Sequence, residues 1–258
     1  MPELPEIETI RKEITPVITG RCLSWISGFR PTLDPEDLHR GSDVQGKCVS
    51  CTSRHGKYLY AGLGAGCGLV IHFGMTGDLR FLGPGDEDPP YCRAQIVFKD
   101  GSRLAFTDPR RFGRIVSSRG LKEFIAAKGL GPDALVLTRT NVREMVRVSR
   151  RGVKLLLLDQ HRVAGIGNIY ADEILFQSRI HPLRETRTVS VKEADSLHKA
   201  ILSVLKTAVR LSADMDRYPS GWLIPRRAPG RTCPACGGEV SRVMIAGRYS
   251  YFCPSCQQ

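Results

Sequence analysis

Two stretches of this 258-residue chain hold side chains whose types and spacing can do chemistry. One is the opening run Pro2-Glu3-Leu4-Pro5-Glu6. Loss of Met1 exposes Pro2 as a secondary α-amine with two carboxylates close behind it. An α-amino group has a pKa of about 7.7–8.0 against about 10.4 for lysine, so near neutrality far more of it is uncharged. A neutral amine attacks electrophilic carbon and forms Schiff bases. The same prolines also suit the first turn of a helix over about residues 3–18, where a fixed φ costs nothing. On these residues alone both readings stand.

The other stretch is Cys233-Pro-Ala-Cys236 and Cys253-Pro-Ser-Cys256, with sixteen residues between the pairs. This is the spacing of a four-cysteine structural Zn2+ site, two knuckles bracketing a β-hairpin that turns at Ala246-Gly247. Four thiolates close the tetrahedron and leave the metal no open position for catalysis. The alternative, two disulfides, conflicts with a chain that otherwise reads as cytosolic. The N-terminus is acidic and lacks the apolar run of a secretory signal, and no apolar stretch is long enough to span a bilayer. Cys22, Cys48, Cys51, Cys67 and Cys92 are accordingly expected to be reduced, half-buried thiols.

The elements that must position these groups follow from turn chemistry and periodicity. Short β-type segments (22–29, 47–53, 58–63, 68–73, 79–82, 94–98, 104–106, 114–116) alternate with Gly, Pro and Asp turns, which predicts a β-sandwich or barrel. From about Leu121 the pattern becomes helical. Arg139, Arg143, Arg147, Arg150 or Arg151, and Lys154 recur every three to four residues, placing them on one helix face with Val142, Val146 and Val153 opposite. A solvated face is the commoner meaning of such a stripe; so many cations against Glu144 alone favour one that meets phosphate. Helices are also expected over 169–178 and 191–211, with Tyr218–Arg231 a linker. The division is 1–130, 131–225 and 226–258.

Net charge points the same way. Lys and Arg number 38 against 26 Asp and Glu, a balance of +12, so a polyanion is the default partner. The turn Gly165-Ile-Gly167 before Asn168 offers backbone N–H groups to an anion, with Asn168 as helix cap or phosphate donor; plain packing of two helices explains it equally well.

Taken together, separated motifs resemble the formamidopyrimidine-DNA glycosylase and endonuclease VIII family: Pro2–Glu6, Gly56-Lys-Tyr-Leu59, His72-Phe-Gly-Met-Thr-Gly77, Thr107-Asp-Pro-Arg-Arg-Phe-Gly113, Gly165–Glu173 and the C-terminal cysteines. They span nearly the whole chain in order. Leu4 and the set Met75, Arg110 and Phe112 are more similar to the formamidopyrimidine branch. The resemblance implies an α+β protein. An N-terminal helix and β-sandwich precede a helical domain with a helix–two-turn–helix, and a zinc ribbon follows.

It further implies a bifunctional glycosylase and abasic-site lyase that removes oxidised or ring-opened bases from double-stranded damaged DNA by β,δ-elimination. Matched motif to motif, Pro2 attacks C1′, Glu3 serves as acid and base at the sugar, and Glu6 positions the N-terminus. Lys57 assists elimination, and Arg248 grips phosphate and is linked to δ-elimination. Met75, Arg110 and Phe112 fill the void left by the flipped nucleotide; without the family, Met75 and Phe112 read as core. His72, Arg150, Lys154 and Asn168 complete the DNA contacts, and Glu173 is structural or catalytic. One structural Zn2+, a monomer and a bacterial, nucleoid-associated cytoplasmic location complete the expectation.

One region departs from the family. The interval 211–232 is short, lacks the Gly-Thr-Thr-Leu segment and the loop that caps flipped 8-oxoguanine, and its Tyr218-Pro-Ser-Gly-Trp222 is more similar to plant-type members. The stretch Tyr91–Arg93 lacks a histidine often found there. Formamidopyrimidines are thus the expected substrates, and this interval leaves the strength of 8-oxoguanine activity open. An endonuclease VIII-like taste for oxidised pyrimidines, or a non-catalytic damage binder, are the alternatives.

Overall fold

The computed structural model describes residues 2–27, 44–64 and 66–258. Met1 and the expected strand end at 28–29 lie outside them. Two compact units divide the chain: Met1–Pro2 with Glu6–Gly129, and Glu3–Pro5 with Leu130–Gln258.

Helix α1 (Leu4–Ile18) carries apolar residues at helical spacing, and Ile7, Ile14 and Ile18 are buried in the first unit. Strands β1 (Leu23–Ser27), β2 (Cys51–His55), β3 (Tyr58–Gly62), β4 (Gly68–His72), β5 (Asp78–Leu82), β6 (Cys92–Phe98), β7 (Arg103–Thr107) and β8 (Arg114–Ser118) follow, then helix α2 (Leu121–Ala127). They form two antiparallel four-stranded sheets, ordered β1-β6-β7-β5 and β2-β3-β4-β8. Leu59, Ile71, Ile96, Phe98, Leu104 and Phe106 from both sheets bury one core with the helix residues, as a sandwich requires.

The expected strand over 47–53 begins later, at Cys51, because the preceding residues bond elsewhere: Leu23 N–H donates to Lys47 O and Gly46 N–H to Leu23 O, both at 2.8 Å. That pairing brings Cys22 and Cys48 together as a disulfide, correcting the expectation that both are free thiols. Spacing along the sequence carried no sign of it, since 26 residues separate them.

In the second unit, helices α3 (Arg139–Val148), α4 (Val153–Leu158), α5 (Asn168–Gln177) and α6 (Val191–Arg210) surround a core of Val142, Val146, Leu157, Tyr170, Ile174, Leu197, Ile201 and Leu205. Thr138 with Asn141, and Ser190 with Glu193, close capping boxes at α3 and α6. The single cationic helix expected over 139–154 is instead two. Ser149 is extended (φ −79°, ψ 147°), and the break is held open by Val153 N–H to Arg184 O (2.8 Å) and Thr186 N–H to Arg151 O (3.0 Å).

The segment expected as a linker is packed. Trp222, Leu223 and Ile224 are buried, and Tyr218 Oη meets Tyr170 Oη at 2.5 Å. Strands β9 (Ser241–Ile245) and β10 (Arg248–Phe252) form the C-terminal hairpin, with Ala246 (φ 47°) and Gly247 (φ 74°) at its turn, the left-handed pair of a type I′ connection.

Candidate functional site

Pro2 is half-buried and Glu3 is buried, with 1% exposure. A buried carboxylate needs donors, and Glu3 has three. Its Oε2 accepts the N–H of Gly167 (2.8 Å) and Tyr170 (3.3 Å), and its Oε1 that of Ile169 (2.9 Å). These are the open N–H groups at the start of α5, so the anion site expected at the glycine turn exists and Glu3 occupies it. Asn168 is therefore not the cap. Its Nδ2 donates to Tyr249 O at 3.0 Å, tying α5 to β10.

Lys154 also differs from expectation. Its side chain is fully buried, and Nζ lies 2.6 Å from Asp172 Oδ1. A lysine so enclosed is not presented to a phosphate; periodicity placed it on the cationic stripe, and the break before α4 turns it inward. Asp172, also fully buried, accepts Arg227 Nη2 (2.8 Å), Ser250 Oγ (2.8 Å) and the Tyr251 N–H (3.1 Å) as well. It thus links α4, α5, the segment before the cysteines and β10. Burial pulls the Lys154 ammonium below the usual lysine range, with Asp172 opposing. The remaining stripe is dispersed: Arg143 forms a paired contact with Asp195 (2.7 Å each) and Arg147 one with Glu144, while Arg150 is exposed at the break.

Glu173 is structural. It is fully buried, accepts the Ile224 N–H (2.8 Å) and Gln177 Nε2 (2.7 Å), and so anchors the packed 211–232 segment. Burial raises its pKa to about 7.

In the first unit, Met75 (39% exposed) and Phe112 (53%) stand out of the core, with the Arg110 guanidinium 5.2 Å from the Phe112 ring centre. Buried Asp108 organises both loops: Oδ1 accepts Thr76 Oγ1 (2.5 Å) and Arg110 N–H (3.1 Å), and Oδ2 accepts Gly113 N–H (2.7 Å). Burial alone would raise its pKa; the hydrogen bonds from Thr76, Gly113 and Arg110 outweigh that and lower it. The sequence placed Asp108 inside a motif and assigned it no role. Gly74 (φ 59°) lets the loops touch, since a Cβ there would lie 2.5 Å from the Phe112 carbonyl carbon.

Lys57 is buried at 8% exposure, at the turn between β2 and β3. His72, on β4, has its pKa lowered to about 4 by burial, then by Lys57 and Arg114. Its Nδ1 accepts the Gly74 N–H at 3.2 Å, so Nε2 carries the ring proton and is a neutral donor.

Cys233, Cys236, Cys253 and Cys256 place their Sγ atoms within 4.8 Å of one another. The Cys233–Cys256 and Cys236–Cys253 separations, 3.8 and 3.6 Å, match the edge of about 3.8 Å of a tetrahedron with Zn–S near 2.3 Å. The donor set fits one structural Zn2+. Arg248 is exposed at the start of β10, beyond the turn. No helix among the described residues is long and apolar enough to cross a membrane.

Comparison with known proteins agrees with this arrangement. Residues 1–115 match the formamidopyrimidine-DNA glycosylase N-terminal domain, 130–219 the formamidopyrimidine-DNA glycosylase H2TH domain, and 230–258 the zinc finger found in FPG and IleRS. Formamidopyrimidine-DNA glycosylase of Thermus thermophilus is 37% identical over 273 residues, covering 100% of this chain and 98% of the relative. That of Thermomicrobium roseum is 36% identical over 287 residues, at 100% and 99%. Among solved structures, the MutM (Fpg) protein from Thermus thermophilus superposes with a TM-score of 0.85 at 37% identity, covering 99% and 98%. Lactococcus lactis Fpg in complex with DNA containing an abasic site gives 0.87 at 29%, covering 100% of both chains.

Proposed function

The chain belongs to the formamidopyrimidine-DNA glycosylase family, and from that membership we propose that Pro2, once Met1 is gone, is its covalent nucleophile. The protein is a DNA-binding glycosylase of base-excision repair that acts on oxidised bases, with the abasic-site lyase activity of its family. One zinc held by Cys233, Cys236, Cys253 and Cys256 is structural.

The neutral Pro2 amine attacks C1′ of a flipped nucleotide as the N-glycosidic bond breaks and the base leaves with its electron pair. The amine proton is then lost, Glu3 protonates O4′, the C1′–O4′ bond breaks with its electron pair going to O4′, and the opened sugar carries a C1′ iminium. Loss of a C2′ proton then expels the 3′-phosphate, and a second elimination expels the 5′-phosphate. Lys57 and Arg248 serve these eliminations. His72, Met75, Arg110, Phe112, Arg150 and Asn168 hold the opened duplex.

The observation that supports this reading most is the Glu3 cradle. Three backbone donors fix the carboxylate immediately after Pro2, and fixed charge beside a nucleophile is how sites pre-pay orientation. Formamidopyrimidines are the leading substrates, with 8-oxoguanine weaker, because the short 211–232 segment commits Tyr218 and Trp222 to the core. The protein works as a monomer at the bacterial nucleoid.

Borohydride trapping tests the chemistry. The mature chain should give a covalent adduct at its N-terminal peptide, and a form retaining Met1 should bind damaged DNA without one. Lesion binding without adduct in the mature chain would leave only a damage-binding scaffold. Turnover of formamidopyrimidine, 8-oxoguanine and thymine glycol duplexes then ranks the lesions; fastest release of thymine glycol would move the preference to oxidised pyrimidines.

A further inference from the structure

Register in the β2-β3-β4-β8 sheet sets Tyr58 opposite His72, and His72 opposite Arg114. Cross-strand partners share a face, so these three side chains form a row across the sheet, with the Val70–Val116 pair on the same face. Helix α2 closes one side, bringing Phe124 edge-on to Tyr58 with ring centres 5.0 Å apart. The open-sided pocket has a volume of about 610 Å³, within the usual 300–1,000 Å³ of ligand sites.

Its charge is one-sided. Arg114, Arg119 and Lys128 line it against Glu123 alone, and among the described residues none of the three cations is in an ion pair. His72 adds the Nε2–H donor derived above. An anion alone would have no use for the aromatic wall, and an apolar ligand none for the cations. Planar aromatic faces beside a cationic rim suit a base and its phosphate together.

We infer that this pocket is a nucleotide subsite, with the phosphate among Arg114, Arg119 and Lys128 and the base against Tyr58 and Phe124. The nucleotide has two sources. One is a free mononucleotide. The other is a nucleotide of the bound strand, since His72 and Phe112 also line the pocket; this second source alone rests on the DNA contacts proposed above.

The test uses the full-length zinc-bound protein, Arg119→Glu in the pocket, and Lys122→Glu, on the adjoining helix α2 but outside the lining, as an equal charge change. Equilibrium dialysis should show saturable 5′-dAMP binding to wild type and Lys122→Glu. Arg119→Glu should bind it about tenfold more weakly, as should wild type bind deoxyribose 5-phosphate. Inorganic phosphate binding as tightly as 5′-dAMP would overturn the nucleotide assignment in favour of a bare anion site. On abasic duplex, a salt slope reduced by about 0.9 in Arg119→Glu only assigns the pocket to the strand. An unchanged slope with intact 5′-dAMP binding assigns it to free nucleotide. An unchanged slope with no saturable 5′-dAMP binding to wild type would overturn the subsite. Borohydride adducts are measured on the same preparations; their absence from wild type counts against the proposed chemistry and leaves the dialysis result standing.

Discussion

Glu3 reaches across 164 positions of sequence to accept the Gly167 N–H at 2.8 Å, and the two residues leave no room between them. A Cβ on Gly167 would stand 2.2 Å from the Glu3 carboxyl carbon. Glycine at this position is thus required by the carboxylate, since φ here is −121°, where any residue fits.

Gly167→Ala should therefore displace Glu3 and leave the helix otherwise intact. Misplacing a catalytic group by about 1 Å costs on the order of 100-fold in rate, so single-turnover base release should fall by about that much. Glu3→Gln keeps an acceptor for the N–H groups and should melt close to wild type while losing base release. Undiminished base release by Gly167→Ala in rapid-quench kinetics would show that the cradle has no bearing on catalysis.

Asp172 joins the helix that Glu3 caps to the strand that carries Arg248. Asp172→Ala strands Lys154 and Arg227, and removing one partner of a buried charge network costs about 3–5 kcal/mol. Since burial already lowers the Lys154 pKa, loss of Asp172 should lower it further. Lys154 can then shed its proton, so the destabilisation should shrink as pH rises. Urea midpoints at pH 6 and 9 check this; an equal deficit at both would mean Lys154 stays charged or finds another partner.

The contrast between the cysteines and Lys154 explains what was legible in the sequence. Strands, the hairpin turn and the zinc ligands are written in local spacing, and the fold contains each of them near its expected place. Lys154 and Asn168 depended on which way one side chain points, and that is decided by long-range backbone bonds such as Val153 N–H to Arg184 O. The Cys22–Cys48 bridge and the organising roles of Asp108 and Asp172 are likewise products of tertiary pairing. The Glu3 cradle lay between these cases: the glycine turn announced an anion site, and only the fold named the anion.

Two shifted groups give opposing pH slopes. Glu173 has a folded pKa of about 7 against an ordinary 4.5. The folded state holds its proton more tightly, so stability from this group is present below pH 4.5 and lost as pH rises to about 7. His72 has a folded pKa of about 4 against 6.5. The unfolded state binds its proton more readily, so stability is lost as pH falls from 6.5 towards 4. Each slope approaches about 1.4 kcal/mol per pH unit, and between pH 4.5 and 6.5 they largely cancel. Glu173→Gln should remove one and expose the other, giving stability that climbs with pH across that window. Urea midpoints parallel to wild type from pH 4.5 to 6.5 would contradict the assignment.

Zinc removal should act locally and still silence part of the chemistry. Among the described residues, the buried cluster around the cysteines comprises Phe176, Leu223, Cys233, Val240 and Cys253, with Tyr251 and Cys256 packed against it, too small a core to fold a hairpin without metal. The helical core of Tyr170, Ile174, Leu197 and Ile201 is a separate cluster, so α3–α6 should survive chelation. The hairpin's amides should then lose protection from hydrogen exchange while those of α6 keep theirs. Arg248 would leave with β10, and on the phosphate role proposed for it the salt slope of DNA affinity should fall by about 0.9. With Pro2 and Glu3 in their proposed roles, Schiff-base trapping should persist at saturating DNA while the second elimination product declines. Persistence of both elimination products at wild-type ratio in the stripped protein would remove Arg248 from the eliminations.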